Sequence, residues 1–343
     1  MNVLVTGSEG YIGSVLVPYL KEAGHEVVGL DAGYLAHRRF TDDVAPHEVM
    51  KRDIRDVSTE ELQEFDAICH LAAVSNDPAG ELSPFVTEDV NYRGTLTLAM
   101  RARAAHVARF IFSGSCSVYG AGDTTSHLTE DAQFNPTTAY AKSKVLAEHG
   151  LRRLARADFC PTYLRNATVY GVSPKLRLDL VVNNLVALAY TTKEIAMTSD
   201  GTPWRPLIHI QDVCLAFKCA LEAPTTAVYN EAFNVGRTDA NYQIRDIAKA
   251  ISAVIPDATI TFNRQADQNP DARTYRVSFE KAAYKLPGFS PQRTLLEGIN
   301  ELYASYKAFG LQKQHLYSDE FITLHAYKML LEAGQIGTDF RWV

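Results

Sequence analysis

Tyr140 and Lys144 stand four residues apart in Tyr140-Ala-Lys-Ser-Lys144, inside a stretch patterned as a helix, so the phenol and the ammonium share one face. A tyrosine hydroxyl is a poor acid or base near neutrality, its ordinary pKa being about 10. A neighbouring ammonium favours the phenolate and draws that value down. A phenolate beside an alcohol can take the hydroxyl proton as hydride leaves the same carbon. A third group must hold the substrate oxygen, and Ser115, just beyond the apolar run Arg109 to Phe112, can do so. A solvated Tyr-x-x-x-Lys on a helix surface has the same spacing, so the pair gains meaning only from its company.

That company begins at the start of the chain. Val5 to Gly13 read V-T-G-S-E-G-Y-I-G, with Gly7, Gly10 and Gly13 three residues apart between an apolar run and a helical pattern. Such glycines permit a tight turn and a close approach of a pyrophosphate to the backbone, and they let the helix pack near the sheet. The helix N-terminus adds N–H donors and a partial positive charge. Asp31 closes the second apolar run, where a carboxylate accepts the hydroxyls of an adenosine ribose and repels a 2′-phosphate. The reading is therefore NAD rather than NADP, with Arg38 and Arg39 as the opposing signal.

The elements that must position these groups alternate. Short apolar runs at Asn2–Thr6, Glu26–Leu30, Ala67–Leu71, Arg109–Phe112 and Cys160–Arg165 are separated by helical patterns at about Tyr11–Ala23, Asn91–His106 and Thr138–Arg156. This rhythm predicts an α/β fold, a Rossmann-type doubly wound parallel sheet covered on both faces, with a smaller mixed α/β substrate-binding lobe. After Gly171 the rhythm changes. Helices are expected at Asn183–Tyr190 and Ile244–Val254, a strand turning into a helix at Ile208–Leu221, and a returning strand at Phe233-Asn234-Val235. The expected division is residues 1–172 with a returning segment at about 207–236 for the cofactor, and 173–206 with 237–343 for the substrate. The tail from Leu311 is helical around Phe321–Glu332 and aromatic at its end, and reads as an element closing the lobe or a partner contact.

The 343 residues carry 34 basic and 40 acidic side chains, for a net charge of −6, which argues against a general affinity for nucleic acid or anionic membrane. Cys69, Cys116, Cys160, Cys214 and Cys219 form no C-x-x-C and have no metal-ligand spacing, so neither a disulfide framework nor a metal site is expected. The N-terminus opens directly on a strand pattern, and no run reaches the ~18 apolar residues of a membrane span. A cytoplasmic location follows as the expectation.

Taken in order, these marks resemble the extended short-chain dehydrogenase/reductases, and within them the NAD-dependent nucleotide-sugar epimerase/dehydratase group. The likeness runs from residue 2 to about residue 300. It rests on Thr6-Gly7-x-x-Gly10-x-x-Gly13, Asp31, Arg52-Asp53-Ile54, His70-Leu71-Ala72-Ala73, Asn91-x-x-Gly94-Thr95, S-C-S-V-Y-G from Ser115, and Tyr140-x-x-x-Lys144. Further along come Asn184-Leu185, Gly201-Thr202 with Arg205, His209-x-x-Asp212 and Phe233-Asn234-Val235-Gly236. The resemblance implies a catalytic set of Ser115, Tyr140 and Lys144. It implies a cofactor site of Gly7, Gly10, Tyr11, Ile12, Gly13, Asp31, Asp53, Ile54, Leu71, Ala72, Ala73 and Asn91, with Tyr140 and Lys144. For the nucleotide-diphosphate sugar it implies Ser75, Cys116, Ser117, Asn166, Asn184, Leu185, Arg205 and Arg273. It also implies a homodimer through the helices beginning near Asn91 and Thr138, with Leu96, Ala99 and Met100 either on the shared face or equally in the core.

The departures narrow the reaction. Dehydratases resembling this chain carry Asp-Glu directly after the active-site Ser/Thr, where this chain has Cys116 and Ser117, so the carboxylates that elimination needs are missing there. The expected function is epimerisation by transient oxidation of a sugar hydroxyl, at C4 by analogy. A 4-dehydrogenase or ketoreductase, or an atypical dehydratase, uses the same residues and stays open. A non-catalytic NAD(P)-binding protein is disfavoured by the intact Ser115, Tyr140 and Lys144. Leu164-Arg165-Asn166 and Arg205-Pro206-Leu207 depart from the usual segments near the substrate.

Overall fold

A computed structural model describes residues 1–41, 47–121, 125–197, 199–262 and 274–343. Arg273 lies outside the described residues.

The first half runs β1 (Asn2–Thr6), α1 (Gly13–Glu22), β2 (Glu26–Asp31), β3 (Val49–Lys51), β4 (Ala67–His70), α2 (Asp77–Leu82), α3 (Pro84–Glu88), a π-helical turn (Asp89–Gly94), α4 (Thr95–Ala104), β5 (Arg109–Ser115), α5 (Ala139–Leu154) and β6 (Cys160–Asn166). The second half runs β7 (Thr168–Tyr170), α6 (Val181–Thr192), β8 (Glu194–Met197), β9 (Trp204–His209), α7 (Ile210–Glu222), α8 (Thr225–Val228), β10 (Ala232–Val235), β11 (Asn241–Gln243), α9 (Ile244–Val254), β12 (Thr259–Phe262), α10 (Glu280–Lys285), α11 (Leu295–Phe309) and α12 (Thr323–Glu332).

Seven strands form one parallel sheet in the order β10-β6-β5-β4-β1-β2-β3. Alternation in β1 shows why it is covered on both faces. Val3 and Val5 enter one core with α1 and α7, while Leu4 enters the other with α4 and α5. Strand order reverses beside β1, and in such sheets a crevice opens outside the carboxyl ends of the strands at that point. The returning strand β10 pairs with β6, as the pattern at Phe233–Val235 predicts.

The second lobe has its own core around α6, α9 and α11. Two small sheets, β11-β9-β7 and β12-β8, accompany it. The tail does not join that core alone. Tyr327, Leu330, Ile336 and Phe340 pack with Val74, Ala79 and Val86 of the first half.

One open alternative is settled here. Ala99 is fully buried in the core beneath α4 and cannot lie on an outer face, and Leu96 packs against Gly150 of α5. Met100 is exposed, as are Phe85 and Leu146 on the neighbouring α3 and α5.

Candidate functional site

A cavity of about 1060 Å³ lies at the carboxyl ends of the sheet strands. Its floor is the turn after β1. Gly7 has φ +73°, and a Cβ at Gly13 would sit 2.1 Å from the Gly7 carbonyl oxygen, so neither position accepts a side chain. No acidic side chain occupies the first turn of α1, which leaves its positive end to an anion. Gly10, Tyr11 and Ile12 complete this lining, and the Tyr11 hydroxyl is tied to the Gly171 carbonyl at 2.8 Å.

Asp31 ends β2 with one carboxylate oxygen on the Glu9 amide (3.0 Å) and the other on the Gly33 amide (2.8 Å). Burial nevertheless pushes its pKa up to about 6. Asp53 and Ile54 line the same end. Burial of Asp53 opposes ionisation, but Arg55 at 2.6 Å outweighs it and holds the carboxyl below its usual range. Leu71, Ala72, Ala73 and Ser75 form the wall beyond β4. Beneath them, His70 is clamped between the hydroxyls of Thr6 (2.7 Å) and Thr95 (2.8 Å), and burial drives its pKa down to about 3, so it is a neutral structural bridge. Glycine spacing, a cavity-lining carboxylate at the end of β2 and an uncontested helix end together fit a dinucleotide.

The middle of the cavity holds the catalytic candidates. Ser115 ends β5, and its hydroxyl accepts from the Ser117 amide at 3.1 Å, capping a 3₁₀ turn. Thr138 caps α5 by accepting from the Ala141 amide, and its hydroxyl donates to Asp77 at 2.5 Å, which fixes the start of α5 against α2. That anchoring sets Tyr140 in the first turn of α5, where it lines the cavity together with Ser115. Lys144, one turn on, donates to the Ser113 carbonyl at 2.9 Å, with its ammonium 4.8 Å from the Phe112 ring and 5.8 Å from the Tyr140 ring.

The spacing predicts that Lys144 lowers the Tyr140 pKa; with no cofactor or substrate bound, burial outweighs every group that lowers it. Burial, then Asp77, pushes Tyr140 up to about 12 against the Ser115 hydrogen bond and Arg177. Burial also brings Lys144 down to about 7, which weakens it as a source of positive charge.

The far end is lined by Ser117, Asn166, Asn184, Leu185 and Arg205. Ser117 Oγ and Asn166 Oδ1 are buried with no hydrogen-bond partner, which suits a ligand rich in hydroxyls. Asn184 commits its amide to the Leu178 carbonyl at 2.9 Å. Arg205 stands over the Tyr275 ring at 5.8 Å.

Two predicted residues do not reach the cavity lining. Asn91 sits in the π-helical turn with its side chain on both Val74 backbone groups (2.8 and 3.0 Å) and on Ser143, so it braces the wall from behind. Cys116 is turned away, donating to the Arg165 carbonyl at 3.1 Å, and burial raises its thiol pKa strongly.

Sequence reasoning missed Arg177, Asp179, Asn76 and Asp77, all on the cavity wall. Arg177 pairs with Asp179 at 2.8 Å and donates to Ser75 at 3.3 Å, and Asn76 donates to Asp179 at 2.5 Å. The one available signal was the charged pair Arg177-x-Asp179 in an otherwise apolar stretch before α6. Among the described residues, no cluster of His, Cys, Asp and Glu could hold a metal ion, and no helix is long and apolar enough to cross a membrane.

Comparison with known proteins agrees with this geometry. The profile of the NAD dependent epimerase/dehydratase family matches residues 3–236. A UDP-glucose 4-epimerase of Mycolicibacterium smegmatis is 32% identical over 317 residues, covering 87% of this chain and 96% of its own. One from Corynebacterium glutamicum is 30% identical over 318 residues, covering 88% and 94%. The crystal structure of UDP-glucuronic acid 4-epimerase from Bacillus cereus, in complex with UDP-glucuronic acid and NAD, superposes with a TM-score of 0.75 at 25% identity, covering 90% of this chain and 99% of its own. The chain belongs to the NAD-dependent epimerase/dehydratase family.

Proposed function

We propose that the protein is an NAD-dependent nucleotide-sugar epimerase that inverts a carbinol carbon, C4 of a UDP-hexose by analogy with its relatives. The observation that carries this reading is that Ser115, Tyr140 and Lys144 line one cavity while positions 116 and 117 hold a buried thiol and a hydroxyl rather than carboxylates.

NAD held by the glycine turn, Asp31 and Lys144 supplies a reversible hydride acceptor. Ser115 would hold the sugar oxygen, and Tyr140, in its phenolate form, would take the proton and later return it. Arg205 and Asn184 hold the diphosphate while the keto-sugar turns over, Arg205 being suited to it by guanidinium geometry. Binding at a non-reacting handle with looser contacts to the ring would let the keto-sugar present either face within the cavity. Residues 1–172 with the segment 207–236 serve the cofactor in this scheme, and 173–206 with 237–310 serve the substrate, while the tail beyond packs against the first half.

Incubation with UDP-glucose or UDP-galactose, followed by proton NMR, tests the reading. Interconversion without loss of water supports it; no interconversion of any UDP-hexose contradicts it. Asp77 favours a second reading. It lines the cavity and lies near enough to Tyr140 to raise its pKa, so it offers a carboxylate for elimination. A product lighter by one water, abolished in Asp77→Asn, would select that reading.

We also propose a homodimer through the face carrying Phe85, Met100 and Leu146, which light scattering at micromolar concentration checks against the 38.0 kDa monomer. Five free, buried thiols suit a cytoplasmic location.

A further inference from the structure

The adenosine end of the cavity has an outer wall that the family pattern does not supply. Thr323, Tyr327 and Phe340 line the same cavity as Asp31 and Asp53. They belong to the tail, which is stitched to both loops that carry those carboxylates. On the loop after β2, Tyr34 packs edge-on to Tyr327 at 6.0 Å and against Trp342 at 5.4 Å, and its hydroxyl donates to the Phe340 carbonyl. The indole N–H of Trp342 donates to the Ala32 carbonyl at 2.6 Å. On the loop after β3, Arg55 donates to the carbonyls of Asp339 (3.0 Å) and Phe340 (3.3 Å), while Arg341 pairs with Asp56.

Arg38 is drawn in the same way. It is buried, with Nε and Nη2 on the Asp319 carbonyl at 3.2 and 2.9 Å and Nη1 on the Thr323 hydroxyl at 3.3 Å. The nearby Lys175 ammonium is likewise occupied, by the carbonyls of Ala36 and Arg38 at 2.7 Å each. Arg39 is exposed and does not line the cavity. A 2′-phosphate near Asp31 would therefore meet a carboxylate and cations already engaged by backbone oxygens.

We propose that the tail is a working part of the cofactor site: it closes the adenosine end over the dinucleotide, slowing its release, and by capturing Arg38 it removes the cation an NADP phosphate would need. The inference rests on NAD being the cofactor of this chain. Its physical basis is that bound adenosine leaves only when the tail lifts, and lifting breaks the contacts of Tyr34, Arg38, Arg55 and Trp342 together. A cofactor recycled in place gains from such retention, because it need not exchange between turnovers.

The test compares the wild type with a chain ending at Gly334, with Trp342→Ala and with Arg38→Met. NAD dissociation is followed by stopped-flow displacement, NAD and NADP affinities by calorimetry, and folding by circular dichroism. The chain ending at Gly334 should release NAD at least about tenfold faster and Trp342→Ala about threefold faster, the loss falling on the dissociation rate. Half of Trp342 is exposed, so its removal leaves the fold intact and decides the matter if the shortened chain does not fold. Arg38→Met should also speed NAD release, without weakening NADP more than NAD. Release rates within about twofold of wild type in both tail variants would reduce the tail to a structural cover. A selective loss of NADP affinity in Arg38→Met would show that Arg38 meets the cofactor directly. A wild type that binds no NAD would instead overturn the cofactor assignment itself.

Discussion

The two ends of the cavity commit their polar groups differently. At the adenosine end, both oxygens of Asp31 rest on backbone amides, Asp53 is locked by Arg55, and Arg38 is spent on the tail. At the sugar end, Ser117 Oγ and Asn166 Oδ1 are buried without partners, as Glu9 Oε2 is beside Asp31, and between the two ends Arg177 and Asp179 line the cavity as an ion pair. A site organised before its ligand arrives binds tightly and in one pose. Polar atoms without a protein partner in such a cavity are left to a ligand or to water. Under the proposed function, the contrast fits an enzyme that holds its cofactor in one pose and its sugar by fewer fixed contacts.

The variants that break or sharpen this comparison differ in size of effect. Tyr140→Phe removes the proton carrier between the two ends and should lower kcat by at least about 10³-fold while NAD affinity stays within about twofold, measured by steady-state kinetics and calorimetry. Retention of more than about a tenth of kcat would remove Tyr140 from the chemistry. Asp31→Asn should weaken NAD about tenfold. Its pH signature is more specific. The carboxylate is the form that accepts ribose hydroxyls, and in the cofactor-free protein it gains a proton as pH falls through about 6. NAD affinity should therefore be flat above pH 7 and decline below 6, and Asp31→Asn should abolish that dependence. The smallest effects belong to the sugar end. Ser117→Ala and Asn166→Ala should each raise KM about three- to tenfold with kcat changed less than about threefold, the loss of one hydrogen bond to a neutral ligand. A loss in kcat alone would mean that these atoms meet only the transition state.

The same contrast governs what the sequence made legible. The adenosine end is built from local motifs, in which Gly7, Gly10 and Gly13 need only a strand before and a helix after them. The expected helix at Ile244–Val254 and strands at Glu26, Ala67 and Cys160 appear at or within a residue or two of their expected bounds for the same reason. β7, β8, β11 and β12 were not legible. Each is three or four residues long and is defined by partners far along the chain, as Glu194 with Thr259 shows. α11 carries its own local signals. Thr294 and Glu297 form a capping box, Leu295, Ile299, Leu302 and Tyr306 repeat at helical spacing, and Gly310 ends the helix in the left-handed region. Lys144 shows the opposite failure. Its spacing to Tyr140 was right, but the electrostatic consequence depends on burial and on the Ser113 carbonyl, which spacing does not reveal. The clamp on Arg38 joins it to Asp319 and Thr323 across most of the chain, so it too required the fold.

The central claim is that hydride leaves and returns to one carbon while Tyr140 carries the proton. Its most direct measurement is the conversion of UDP-galactose deuterated at C4, run in ordinary water and, unlabelled, in deuterated water, with products read by mass spectrometry and NMR. The account predicts an inverted C4 that keeps its original deuterium, no solvent label on any carbon, and an unchanged formula. Loss of the C4 label, deuterium entering a carbon beside the ketone, or a product lighter by one water would contradict it.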